Sequence, residues 1–221
     1  MTRAIDKMIE EQIKRWESEK DTSKSIAKNT NLITISRECG SRGQEVAKKL
    51  AEKTGFDMFD REILEAMLED SKSNKVLLET LDERSTNIVD DIVSALFNEH
   101  HLWPDEYSKL LLKILNTIGK HGNAVILGRG GNFALEKLNV LKVRIVAPAS
   151  MRLEYIKKTR GLSSDDAKKY MVSTDSNRNA FVKRYFNCDP TDPSNYDLVL
   201  NTGTFSVDKV VELIQFAIKA D

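Results

Sequence analysis

The stretch from Ile33 to Leu50 constrains this chain more than any other. An apolar run (Ile33, Thr34, Ile35) gives way to a polar turn holding Gly40 and Gly43. Val46, Ala47, Leu50 and Ala51 then recur at helical spacing, and Gly55 closes the segment. That order predicts a buried strand feeding a helix from Gly43 to Thr54 through a glycine turn. The first amides of such a helix lack intrahelical partners and its dipole is positive there, so an anion is favoured in front of it. Arg37 and Arg42 bring forked donors to the same turn. An ordinary strand-to-helix turn with solvated arginines has the same composition, so the stretch alone leaves both readings open.

The rest of the chain repeats the alternation. Short strands are predicted at Leu32–Ile35, Phe56–Phe59, Ala124–Leu127, Leu141–Val146 and Tyr196–Leu200. Helices are predicted from Asp60, which can act as N-cap, across 85–97, from Pro104 to Ile118, across 150–160 and from Ser206. Residues 70–84 read as polar and mixed, and 163–186 as two charged helical pieces. Strands alternating with helices imply an α/β three-layer domain around a parallel sheet. Ahead of it, residues 1–20 carry Ile5, Met8, Ile9, Ile13 and Trp16 on one stripe, and 19–31 read as a linker. A lone helix of that length is marginal, so the stripe must dock on the body or on another subunit, which makes a homodimer through this helix one expectation.

Composition narrows the function. With 34 basic and 34 acidic residues, nothing in the net charge favours nucleic acid or an anionic membrane. No apolar run approaches the roughly 18 residues of a membrane span, and the charged N-terminus has no secretory core, so cytoplasm is the expected compartment. Cys39 and Cys188, with His100, His101 and His121, have no metal-site or disulfide spacing.

Ligands of parallel sheets bind at the carboxyl ends of the strands. After the first strand stand Arg37, Gly40, Ser41, Arg42, Gly43, Gln44 and Glu45; after the central strand stand Gly128, Arg129, Gly130 and Gly131. Glycines after a buried strand let a ligand or backbone approach closely. Arg129 there needs an anion or a carboxylate partner. Asp175 and Arg178, three apart, share a helix face, with Lys183 and Arg184 further on.

Several segments, in order, resemble the cytidylate kinase-like family, a branch of the P-loop nucleoside monophosphate kinases. They are Ile35–Glu38 with Gly40–Gly43, Phe59–Ile63, Val125–Gly130, Val143–Pro148, Asp175–Arg178 and Tyr196–Thr202. The resemblance covers roughly 31–220. It implies a five-stranded parallel core over 31–221, a substrate region after the second strand and a helical lid over approximately 160–190. It further implies ATP and Mg²⁺ as cofactors and a small nucleotide as partner. By the same resemblance the acceptor enters at Asp60 and Arg61, and Arg129 grips its phosphate. Asp175 and Arg178 contact substrate and phosphate, and Arg160, Arg178 or Arg184 neutralise the moving phosphoryl group from the lid. Transfer of the ATP γ-phosphoryl group to a nucleoside monophosphate resembling CMP is the activity implied.

The loop departs from the usual pattern. Laid on Gly-x-x-x-x-Gly-Lys-Ser/Thr, it puts Arg37 at the first glycine, Gly43 at the lysine and Glu45 at the Ser/Thr. The family branch often has a basic residue after that glycine, and here it is Gln44. The missing charge must therefore come from Arg37, Arg42 or Lys48, while Glu45 could hold Mg²⁺ through water. Two alternatives follow: a non-catalytic nucleotide-binding module with a degenerate loop, or a kinase for another small substrate.

Overall fold

A computed structural model of the chain describes residues 2–21, 31–81, 83–99 and 105–218. The expected linker, and the break at 100–104 with Pro104, lie outside the described residues, the linker all but its ends. Five strands, β1 (Leu32–Arg37), β2 (Asp57–Phe59), β3 (Ala124–Leu127), β4 (Leu141–Val146) and β5 (Leu198–Asn201), form one parallel sheet in the order β2-β3-β1-β4-β5. β1 lies at the centre, with Ile35 opposite Leu127 on one side and Val143 on the other. Its first four residues are all buried, because both faces of the sheet are covered.

Side chains alternate between those faces. Ile33, Ile35, Val125, Val143 and Ile145 face α2 (Gly43–Thr54) and α10 (Val207–Ile218). Leu32, Ala124 and Ile126 belong to the larger core on the other side. That core takes in α3 (Arg61–Glu69), α4 (Ser71–Glu79), α5 (Glu83–Glu99), α6 (Glu106–His121) and α7 (Gly131–Ala134). Local chemistry sets the helix ends. Asp60 accepts from the Glu62 and Ile63 amides, and Asp105 from Ser108. Gly55 closes α2 at φ 72°.

Two stretches differ from expectation. Residues 71–79 are helical, although the segment is polar, because a single narrow stripe suffices to bury Leu77 completely. Residues 164–186 form one helix, α9, not two pieces. It is N-capped by Ser163, and no Gly or Pro interrupts it. Its apolar contacts fall at the two ends, Ala167 and Met171 against α8 (Ala149–Arg160), Val182 and Phe186 in the larger core. The middle turns lack a buried stripe, which is why the pattern reads as broken. α8 and α9 thus form a helical hairpin, within which the expected lid segment falls.

The N-terminal helix, α1 (Thr2–Asp21), docks on its own chain. Ile9, Ile13 and Trp16 are all buried. Trp16 stacks on His121 at 4.2 Å, nearly parallel, and on Phe59 at 6.0 Å. Gln12 and Arg15 donate to the Asp57 carboxylate at 2.9 and 2.8 Å. Of the two places expected for the stripe, the body takes Ile9, Ile13 and Trp16, while Met8 stays 53% exposed. Among the described residues no helix is long and apolar enough to cross a membrane.

Candidate active site

β1 and β3 are neighbours, yet the loop after β1 leads to α2 on one face and the loop after β3 to α7 on the other. Neighbouring loops that part this way open a crevice at the carboxyl edge of the sheet. Arg37, the last residue of β1, sits in it. A Cβ on Gly43 would lie 2.5 Å from the Arg37 Cβ, and a Cβ on Gly128 would fall on the Arg37 guanidinium. The glycines on both sides therefore make room for one arginine.

Charges of both signs act on Arg37. Burial first, then Arg178 and Arg129, pull its guanidinium below the usual arginine value, while Asp60 acts the other way. Arg178 donates to the Arg37 carbonyl at 3.2 Å. Among the described residues the Arg37 side chain makes neither a hydrogen bond nor an ion pair. A part-buried cation with no ion-pair partner, beside two others, favours an anion at this point.

The glycine loop is tied from behind. Ser41 is fully buried; its hydroxyl donates to the Glu38 carbonyl at 2.9 Å, and Thr202 donates to the Ser41 carbonyl at 2.9 Å. A Cβ on Gly40 would meet the Arg152 carbonyl at 2.6 Å. Arg42 takes the left-handed N-cap position at φ 60°, and no side chain caps α2. The first helical acceptor is the Arg42 carbonyl, taken by the Val46 amide, so the amides of Gly43, Gln44 and Glu45 face outward unpaired within the helix.

Glu45 is engaged by its neighbours. Arg42 pairs with it at 2.7 Å and, with the Tyr155 hydroxyl, holds the carboxylate below its usual range. Tyr155, desolvated and bonded to Glu45, is pushed up to about 12. Among the described residues no group of three His, Cys, Asp or Glu side chains is placed to hold a metal. Glu45, expected at Mg²⁺, is paired with Arg42 and bonded to Tyr155. Gln44 and Lys48 are exposed. Beside the loop lies a cavity of about 500 Å³ lined by Gly40, Arg42, Ala147, Met151, Tyr155 and Thr202.

Across the crevice, Arg129 holds a left-handed backbone at φ 51°. It pairs with Glu65 of α3 and lies 4.7 Å from the centre of the Phe181 ring. Its Nε is buried without a partner. The following glycine does not open onto a ligand: the place of a Cβ on Gly130 is taken by the Phe186 ring. Asp60 uses one carboxylate oxygen as the cap of α3. Arg61 is exposed and donates to Glu65 at 3.0 Å.

Asp175 faces the loop. It accepts from the Cys39 amide at 2.7 Å and from Arg152 at 2.9 Å. Arg152 also pairs with Glu38 at 3.1 Å, and Glu38 accepts from the Ala147 amide at 3.2 Å. A buried arginine on α8 thus fastens the loop to α9. Sequence reasoning missed Arg152, because among the many charges of α8 no spacing sets it apart. Of the three expected lid arginines only Arg178 acts on Arg37. Arg160 lies over Tyr170 within the α8–α9 hairpin, and Arg184 over Tyr185; both are exposed.

Comparison with known proteins agrees with this geometry. A family model described as "Cytidylate kinase-like family" matches residues 32–204. A cytidylate kinase of Methanocaldococcus jannaschii is 33% identical over 104 residues, 46% of this chain and 58% of that protein. A cytidylate kinase of Methanopyrus kandleri is 32% identical over 81 residues, 37% and 42% of the two chains. This chain spans about half the length of these curated relatives. Among solved structures, an uncharacterized protein from Eubacterium ventriosum superposes with a TM-score of 0.68 at 22% identity, over 87% of this chain and 99% of that one.

Proposed function

Because the chain belongs to the cytidylate kinase-like family, we propose that it is a phosphotransferase moving the γ-phosphoryl group of ATP to a nucleoside monophosphate, with CMP as the first acceptor to try. One observation carries this reading: Arg37, unpaired, stands between Gly43 and Gly128 with Arg178 beside it. Phosphoryl transfer asks for positioning and for neutralisation of charge on the equatorial oxygens, with little covalent chemistry from the protein. Arg37 and Arg178 supply that charge at the point where the two loops meet.

Each substrate has a side of the crevice in this proposal. The triphosphate enters from the α2 side, its phosphates before the amides of Gly43, Gln44 and Glu45 and its nucleoside in the cavity by Tyr155 and Thr202. The acceptor enters from the α3 side, by Asp60, Arg61 and Arg129. Arg37 takes the part of the loop lysine that Gly43 replaces. Lid helices α8 and α9 exclude water, which otherwise accepts the phosphoryl group. Mg²⁺ bound to the triphosphate would lower its charge; among the described residues no cluster of three His, Cys, Asp or Glu side chains is placed to hold it, and Glu45 is paired with Arg42.

The test is ADP formation from ATP and Mg²⁺ with each nucleoside monophosphate. Acceptor-dependent ADP is expected, with kcat falling about 100-fold or more in Arg37→Met and the circular dichroism unchanged. ATP binding in calorimetry without turnover on any acceptor would instead mark a non-catalytic nucleotide-binding module.

A further inference from the structure

Glu65 belongs to neither loop, yet its carboxylate bridges the two arginines on the acceptor side. One oxygen accepts from Arg61 Nε at 3.0 Å, and the other pairs with Arg129. Arg61 is one turn before Glu65 on α3, while Arg129 comes from the loop after β3, 64 residues away. The two guanidinium groups therefore converge on one small anion, and at present that anion is part of the protein.

Arg129 is poorly satisfied in this arrangement. Its side chain is 12% exposed, its backbone is left-handed, and its Nε is buried without a partner. Burial first, then the Arg61 charge, pull the guanidinium below its usual value, while Tyr185 acts the other way. A carboxylate has two oxygens and one charge, and both oxygens are already used. A phosphate monoester has three terminal oxygens and nearly two charges near neutral pH. It can take both arginines and still offer an acceptor to the orphaned Nε. Glu65 is 32% exposed on the surface of α3, so its carboxylate already meets solvent in part.

We propose that Glu65 is a specificity-determining residue of the acceptor site, an internal anion that holds Arg61 and Arg129 together until a phosphate monoester displaces it. This rests on the acceptor placement proposed above and adds a competitor to it. Glu65 raises the threshold for binding: a ligand bearing one weak charge does not displace it, and a phosphate monoester does. Free of Glu65, the site accepts weaker anions and loses that selectivity.

The probe is CMP, with cytidine as the control that lacks the phosphate, titrated into the full chain and its Glu65→Gln variant by calorimetry. Glu65→Gln keeps the size of the side chain and removes the charge. CMP is expected to bind about three- to tenfold more tightly to the variant, as removal of a part-exposed competing ion pair allows. Cytidine should bind both proteins equally. Glu65→Ala should move CMP in the same direction, which separates the effect from a new amide contact. If CMP binds equally well or more weakly to both variants, Glu65 merely positions Arg129 and the proposal is overturned. Failure of CMP to bind any form overturns it as well. Tighter CMP binding without turnover leaves the proposal standing and removes only the kinase reading.

Discussion

The guanidinium of Arg37 lies where a side chain on Gly128 would stand. Two segments 91 residues apart in the chain thus share one small volume, and the smaller residue yields it to the larger. The crevice is shaped around a cation before any ligand enters, and the charge is set at the junction of β1 and β3.

Gly128→Ala should therefore cost more than the backbone strain of its left-handed φ of 84°. Gly161, at φ 63° with open space around it, is the control. Denaturant unfolding should show a loss of about 1 kcal/mol for Gly161→Ala and about 2–4 kcal/mol for Gly128→Ala. Combining Gly128→Ala with Arg37→Ala should recover part of that loss, a non-additivity that identifies the shared volume.

Arg152 holds Glu38 and Asp175, and so ties the glycine loop to α9. Arg152→Met leaves two partly buried carboxylates facing one another, and unfolding measurements should show a loss of about 2–4 kcal/mol. Adding Asp175→Asn should restore some of the stability. ATP affinity should fall in the single variant, because Glu38 of the loop loses its bridge through Arg152 to Asp175.

Trp16 closes the contact between α1 and the body. Truncation to alanine removes a buried ring stacked on His121 and Phe59. A loss of about 3–5 kcal/mol is expected in urea unfolding. Sedimentation should show no change of oligomeric state, since Ile9, Ile13 and Trp16 are buried within one chain.

His121 gives the same interface a pH dependence. Burial pulls its imidazole from 6.5 down to about 4. The folded protein keeps it neutral while the unfolded chain takes up a proton, so its contribution is complete above about pH 6.5 and is lost as pH falls toward 4. That contribution is on the order of 2 kcal/mol. Stability measured at pH 7 and pH 4.5 should differ less in His121→Asn than in the parent.

Short-range chemistry was legible in the sequence. The apolar run of β1, the cap at Asp60 and the glycine that ends α2 are interactions among residues a few positions apart, and they lie where spacing predicts them. So do the parallel alternation and the resemblance that rests on motif order. Polarity hid α4, and the bare middle turns of α9 made one helix look like two, because a buried stripe shows only where the helix touches something.

What only the tertiary structure decided is who meets whom at the site. Arg37, Arg42, Arg129 and Arg178 looked alike as arginines near loops. In the fold, Arg42 pairs with Glu45 and Arg129 with Glu65, and Arg37 is left without an ion pair. Arg152 and Glu65 carried no signal at all. Their partners lie on other elements, many at large sequence separation, and the strength of a charge pair depends on distance and burial, which the order of residues does not contain.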